Sequence, residues 1–128
     1  MSISLQFKLS DFEDASARID SSIRQTPLLK ADRLFHNPLS TGNLFLKLEN
    51  LQPTGSFKVR GAMNTLSMLS KQEKQKGLIT ASGGNHGLAV AYAAFMAQVP
   101  SLIFLPSTTS AKKIEKLRSW GAAIQVIG

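Results

Sequence analysis

The run Lys47-Leu48-Glu49-Asn50-Leu51-Gln52-Pro53-Thr54-Gly55-Ser56-Phe57-Lys58-Val59-Arg60-Gly61-Ala62 carries the end of an apolar strand, a Pro/Gly turn and the start of a helix. A second handover of the same kind follows, where Leu78 to Ala81 gives way through Ser82-Gly83-Gly84 to Asn85, His86 and an Ala-rich stretch. Both turns fall where strand passes to helix, the place at which an open α/β sheet gathers its ligand groups. Lys58 stands in the first turn of its helix, facing the positive end of the helix dipole, a poor choice for stability alone. A partly desolvated amine there loses its proton more readily, and a neutral lysine forms a Schiff base with a carbonyl. Taken alone, a Gly-Ser-x-Lys run also fits a solvated lysine at a helix start.

Outward from these turns the chain alternates strand and helix. Ser10-Asp11-Phe12-Glu13 has the form of a capping box and predicts a helix from about Asp11 to Ser22, with Phe12, Ala15 and Ile19 toward a core. Pro27 enforces extended chain, and Ala31 to Asn43, with Asn37-Pro38 and Thr41-Gly42, predicts an irregular connection. Leu44 to Leu48 predicts a strand with Leu44, Leu46 and Leu48 on one face. A helix is predicted from Phe57 to Leu69, with Ala62, Thr65, Leu66 and Leu69 at helical spacing. Ser70-Lys71-Gln72-Glu73 predicts a capped short helix that stops at Gly77. Then come a short buried strand Leu78 to Ala81, a helix from Gly84 to Gln98 ended by Pro100, and a strand Ser101 to Leu105. A helix from Ser110 to Ser119 capped by Gly121 and a strand Ala123 to Ile127 complete the series. Repeated β-α-β units predict an α/β fold with a parallel sheet, right-handed crossovers and three αβα layers.

Composition narrows the function. With 43% hydrophobic and 18% charged residues, the 128-residue chain has the make-up of a single globular domain, and its apolar runs are too short to span a bilayer. Met1 to Ser10 lacks a basic start and an apolar block, so no signal peptide is expected and the cytoplasm is the expected compartment. The absence of cysteine excludes disulfides, a thiolate nucleophile and a zinc-cysteine site. The net charge of +7 raises nucleic-acid binding. However, Lys71, Lys74 and Lys76, and Lys112, Lys113, Lys116 and Arg118, fall in runs without alternating exposed aromatics, so solvated helix faces are expected instead.

The Lys47–Ala62 run closely resembles the cofactor-attachment segment of pyridoxal-phosphate enzymes of the serine/threonine dehydratase family. Ala81-Ser82-Gly83-Gly84-Asn85-His86-Gly87 resembles that family's substrate-carboxylate loop, and Thr26-Pro27-Leu28-Leu29 its short N-terminal motif. The three stand in the family's order, and the resemblance runs from about Phe12 to Gly128. It implies a fold-type-II enzyme acting on small hydroxy amino acids, a homo-oligomer at full length. Residues 1–50 would belong to the large domain and 51–128 would form an incomplete small domain. The family's phosphate-binding loop and any metal site come later than Gly128, so the chain reads as an N-terminal part, with no metal site expected within it.

By the same resemblance, Lys58 would carry pyridoxal 5'-phosphate and serve as base for the Cα proton, and Phe57 would pack beside the cofactor ring. Asn85 would hydrogen-bond its phenolic oxygen, and Ser82, Gly83, Gly84, Asn85 and His86 would hold the substrate carboxylate. Threonine or serine would lose water and then ammonia to give a 2-keto acid. Racemases of this group place a hydroxyl where this chain has Gly83, which favours dehydration. A racemase, a hydroxyaspartate dehydratase and a catalytically silent module that self-associates through an exposed face remain as alternatives. Single residues have blander readings too. Ser82-Gly83-Gly84 alone is a common turn, lacking the dinucleotide and P-loop patterns, and an isolated His86 suits a structural role. His36 reads as a surface residue, Arg60 as a bridge from helix to sheet, and Gly87 as a close helix-strand contact. Thr54 either caps the following helix or touches cofactor.

Overall fold

A computed structural model describes residues 6–31 and 42–128. His36 and most of the predicted 31–43 connection lie outside the described residues. Three strands, β3 (Leu78–Ala81), β4 (Ser101–Pro106) and β5 (Ala123–Ile127), pair in parallel in the order β3-β4-β5. The register sets Thr80 beside Ile103 and Ile103 beside Ile124. Because successive side chains alternate between faces, Ser101, Ile103 and Leu105 are buried on one face. Leu88 and Ala91 of α4 (Asn85–Ala97) and Leu117 of α5 (Ala111–Ser119) meet Ile103 and Leu105 there.

Helix α4 is alanine-rich because it is enclosed. Ala89, Ala91, Ala93 and Ala94 are all buried, and small side chains let the helix lie close to the sheet while α2 (Lys58–Met68) packs on it as well. Val59, Met63 and Leu66 of α2 form a second cluster with Ala93 and with Ile19 of α1 (Leu9–Ile19). Full burial of each large side chain contributes about 1.5–3 kcal/mol. The parallel α/β sheet is therefore as expected. Of the αβα layers, the described residues supply the sheet and the helices against one face. The register turns Ile79, Leu102, Phe104 and Ile127 to the opposite face, where Ile79 is 70% exposed.

Several expectations are corrected. The Leu44–Leu48 strand is not part of the parallel sheet: β2 (Phe45–Lys47) pairs antiparallel with β1 (Leu28–Lys30). The extended chain after Pro27 offers a nearer partner, and bonds from Ala31 N–H to the Leu44 carbonyl (2.8 Å) and from Leu48 N–H to the Pro27 carbonyl (3.0 Å) continue the ladder. Helix α1 starts before the Ser10 box, because the Asp11 carboxylate accepts the Lys8 N–H at 2.7 Å. It ends at Ile19 in a 3-10 turn, Asp20–Ser22. Of its three expected core residues, only Ile19 is buried, and Phe12 is exposed. Helix α4 ends where Gln98 turns left-handed (φ 55°), ahead of Pro100. Strand β3 is half-buried rather than buried.

The Ser70 box matches expectation. The Glu73 carboxylate accepts the Ser70 N–H at 2.8 Å, and the Ser70 hydroxyl accepts the Glu73 N–H at 3.2 Å, starting α3 (Lys71–Gln75). Gly77 then reverses the chain into β3 with φ 84°, and a Cβ there would lie 2.8 Å from the Pro100 carbonyl oxygen. Both strain and contact oppose a side chain. Gly77→Ala is expected to lower unfolding free energy by roughly 1–3 kcal/mol, read as a lower urea midpoint; an unchanged midpoint would contradict the close approach.

Candidate active site

The turn before Lys58 is built from local bonds. Gln52 and Thr54 are buried, and the Gly55 N–H donates to the Gln52 carbonyl at 2.8 Å with Gly55 at φ 78°, a conformation suited to glycine. The Thr54 hydroxyl donates to the Ser56 carbonyl at 3.3 Å, so within the protein it braces the turn rather than capping α2. The Ser56 hydroxyl accepts the Lys58 N–H at 3.4 Å. Lys58 is the first residue of α2, and its Nζ lies 5.0 Å from the centre of the exposed Phe57 ring. Among the described residues it has no ion-pair partner, which leaves the amine available to a ligand.

A carboxylate clamp holds this turn from both sides. Glu49 receives two bonds from Arg60, Nε to Oε2 at 2.8 Å and Nη2 to Oε1 at 2.7 Å, and a third from the Thr26 hydroxyl at 2.6 Å. Gln52 joins through Nε2 at 3.4 Å and also brackets Arg24, accepting its N–H at 3.1 Å and donating to its carbonyl at 2.8 Å. The Lys47 ammonium donates to the Thr26 carbonyl at 2.6 Å. Arg60 thus ties α2 to Glu49, just after β2, rather than to a strand as its helix-to-sheet reading supposed. The Arg60 bonds hold the Glu49 carboxyl down from 4.5 to about 2, against the opposing effect of burial, with Thr26 and Gln52 helping. The same contact raises Arg60.

The second turn continues β3. The Ser82 N–H donates to the Phe104 carbonyl at 3.0 Å, and the Ser82 hydroxyl accepts the Gly84 N–H at 3.3 Å. Asn85 and His86 stand in the first turn of α4, where backbone N–H groups lack intrahelical partners. Gly87 makes the close approach expected of it: a Cβ would strike the Ser82 carbonyl oxygen and lie 3.4 Å from Ile103.

One cleft of about 500 Å³ brings Lys58 and His86 together, with Thr65 of α2 and Leu78 and Thr80 of β3 on its walls. Ser82 and Gly83 instead line a shallower depression of about 330 Å³ beside Phe104, Pro106 and Ile127. Asn85 and Gly84 line neither of these two. The sequence reading missed the Glu49 clamp, although Glu49 and Arg60 are opposite charges flanking the same turn. It placed Thr65 on the helical face of α2 without assigning it to the cleft, and it gave Thr80 no role. The basic run of α5 is partly committed within the protein, since Lys116 lies 5.2 Å from the Trp120 ring centre and 3.4 Å from the Pro53 carbonyl.

A parallel sheet whose first strand passes through a glycine turn into a helix N-terminus, beside a second glycine turn that leads from the β1–β2 ribbon to a lysine with no ion-pair partner among the described residues, marks an α/β enzyme of the cofactor-binding class. The family model described as pyridoxal-phosphate dependent enzyme matches residues 19–128, and the chain belongs to this family. It is 42% identical over 120 residues to a catabolic L-threonine dehydratase of Staphylococcus aureus, covering 94% of this chain and 34% of that protein. Among solved structures, maize serine racemase superposes with a TM-score of 0.83 at 33% identity, covering 93% of this chain and 36% of that one. A threonine deaminase from T.th. gives 0.79 at 38% identity, covering 95% and 37%. The chain thus spans about a third of the length of these relatives. No described helix is long and apolar enough to cross a membrane.

The clamp has a pH signature. Because the carboxyl of Glu49 is lowered on folding, its contribution is fully present above pH 4.5 and fades as pH falls toward about 2. Glu49→Gln is expected to destabilise by roughly 2–4 kcal/mol at neutral pH. Urea midpoints of the two proteins should converge between pH 4.5 and the acid limit; parallel curves would show that the pair is not a source of stability.

Proposed function

We propose that the protein containing this chain is a pyridoxal-phosphate-dependent dehydratase that converts L-threonine or L-serine to a 2-keto acid and ammonia. The observation that carries this reading is Lys58, unpaired by any described carboxylate, opening into the same cleft as His86. The residues present suit the cofactor: an amine for its aldehyde, an aromatic ring beside that amine, and a volume adequate for a substituted pyridine. When bound, the cofactor supplies an electron sink for the bond broken at Cα.

The chain's own residues then have separate tasks. Lys58 would hold the cofactor through Nζ and, with that amine free, would take the Cα proton. Phe57 would pack beside the cofactor ring, and Asn85 would hydrogen-bond it. Ser82, the N–H groups of Gly83 and Gly84, Asn85 and His86 bind the substrate carboxylate at the start of α4. Loss of the Cα proton and the β-hydroxyl releases one water. Hydrolysis of the unsaturated amine then consumes one water and releases ammonia. Residues 1–50 belong to a larger domain and 51–128 to a smaller one. Support for that division comes from the β1–β2 ribbon, whose Leu28, Leu29, Phe45 and Leu46 are all exposed and suited to burial against further protein.

Racemisation is the second reading, favoured by the likeness to maize serine racemase. Gly83 tells against it, since glycine offers no side chain for proton exchange. The experiment is borohydride reduction after incubation with pyridoxal phosphate, followed by peptide mapping. A reduced adduct confined to Lys58 is expected, with keto-acid release falling by at least about a thousand-fold in Lys58→Ala. Label scattered over surface lysines, or none, would overturn the assignment.

A further inference from the structure

Position 83 has no room for a side chain unless Thr109 turns and Pro106 gives way. A Cβ there would strike the Thr109 hydroxyl and lie 3.1 Å from Cδ and 3.4 Å from Cγ of Pro106. Gly83 does not adopt a positive φ, so space rather than backbone conformation makes it glycine. The neighbouring Gly84 is different: a Cβ there would meet only the Ser82 hydroxyl, at an ordinary 3.8 Å. Two adjacent glycines therefore serve unlike purposes, and only the first is walled in.

The wall comes from the turn between β4 and α5. Pro106 closes β4 beside Ile127, and the Thr109 N–H donates to the Pro106 carbonyl at 3.0 Å, which fixes the two residues relative to each other. The proline ring cannot swing aside. Thr109 is β-branched, so two of its three χ1 rotamers place the hydroxyl or the methyl toward position 83 and only the third, with Cβ–H there, clears space. Its Oγ1 is buried and has no hydrogen-bond partner among the described residues. An unpaired buried hydroxyl is unfavourable, so what Thr109 contributes at this place is volume.

We propose that Thr109, with Pro106 behind it, is a specificity-determining residue that keeps position 83 free of side chains. The loop then presents backbone N–H groups and Ser82 to the substrate, and a proton-exchanging side chain finds no room. This rests on the reading of residues 82–86 as the carboxylate loop, and it leaves proton transfer at Cα to Lys58. Thr109 acts through Gly83 and is a positioning residue, with no contact to substrate required.

The test compares Gly83→Ser alone with Gly83→Ser/Thr109→Ala and Gly83→Ser/Thr109→Val in the whole protein, beside Thr109→Ala and Thr109→Val. Gly83→Ser should lower the unfolding midpoint by about 4–8 °C and raise KM for the amino acid about tenfold or more, with kcat much less changed. Adding Thr109→Ala should restore at least half of both losses, while Thr109→Val, which keeps the bulk, should restore neither. Additive losses, equal rescue by valine, or a Gly83→Ser protein as stable as its parent would each sink the proposal. The melting comparison needs no substrate. If the parent releases no keto acid from threonine or serine, the dehydratase reading fails while the wall is still decided by the midpoints.

Discussion

Glu49 is the point through which the lysine turn is held. Its two oxygens take both arms of the Arg60 guanidinium and the Thr26 hydroxyl, so three separate pieces of chain converge on one carboxylate: the segment before β1, the turn after β2 and the first turns of α2. A bidentate arginine pair fixes direction as well as distance. Since Arg60 lies two residues beyond Lys58 on the same helix, the clamp sets where the lysine stands. The pair is only partly shielded from water, with side chains 33% and 16% exposed for Arg60 and Glu49. That limits desolvation, the term that makes fully buried ion pairs poor stabilisers.

From this clamp the two halves of the cleft are joined through apolar packing. Val59, Met63 and Leu66 carry α2 onto α4 through Ala93, and α4 in turn lies on β3 and β4. The small side chains of α4 permit that double contact, which larger residues would open. Gly87 allows the first turn of α4 to lie against the Ser82 carbonyl. A lysine at the head of one helix and the Ser82–His86 turn at the head of another are thereby set by the two apolar clusters that α4 joins.

The site is also shaped by what its surroundings exclude. Thr109 and Pro106 come from a turn well along the chain from the lysine segment, yet they decide what position 83 can hold. Nothing around Thr109 in the sequence marks it, because its effect depends on volume in three dimensions rather than on charge or motif. The apolar second face of the sheet and the exposed β1–β2 ribbon are of the same kind, since their alternation reads as core until burial is seen.

Local signals were legible wherever one residue acts on its neighbours along the chain. The Ser70 capping box, the positive-φ turns at Gly55, Gly77 and Gly121, the Ala-rich helix and the strand Ala123–Ile127 all follow from backbone conformation and short-range bonding. The segments around Lys58 and Ser82-Gly83-Gly84-Asn85-His86 likewise pointed to the family whose model the chain matches. Other features needed the folded chain. The antiparallel pairing of β1 with β2, the choice of Ile19 over Phe12 for burial and the joining of Glu49 to Arg60 and Thr26 each depend on which distant segment arrives as partner. So does the wall beside Gly83. A periodic pattern states that a residue has an apolar side or a polar end, but only packing between segments far apart in sequence determines what that side or end will meet.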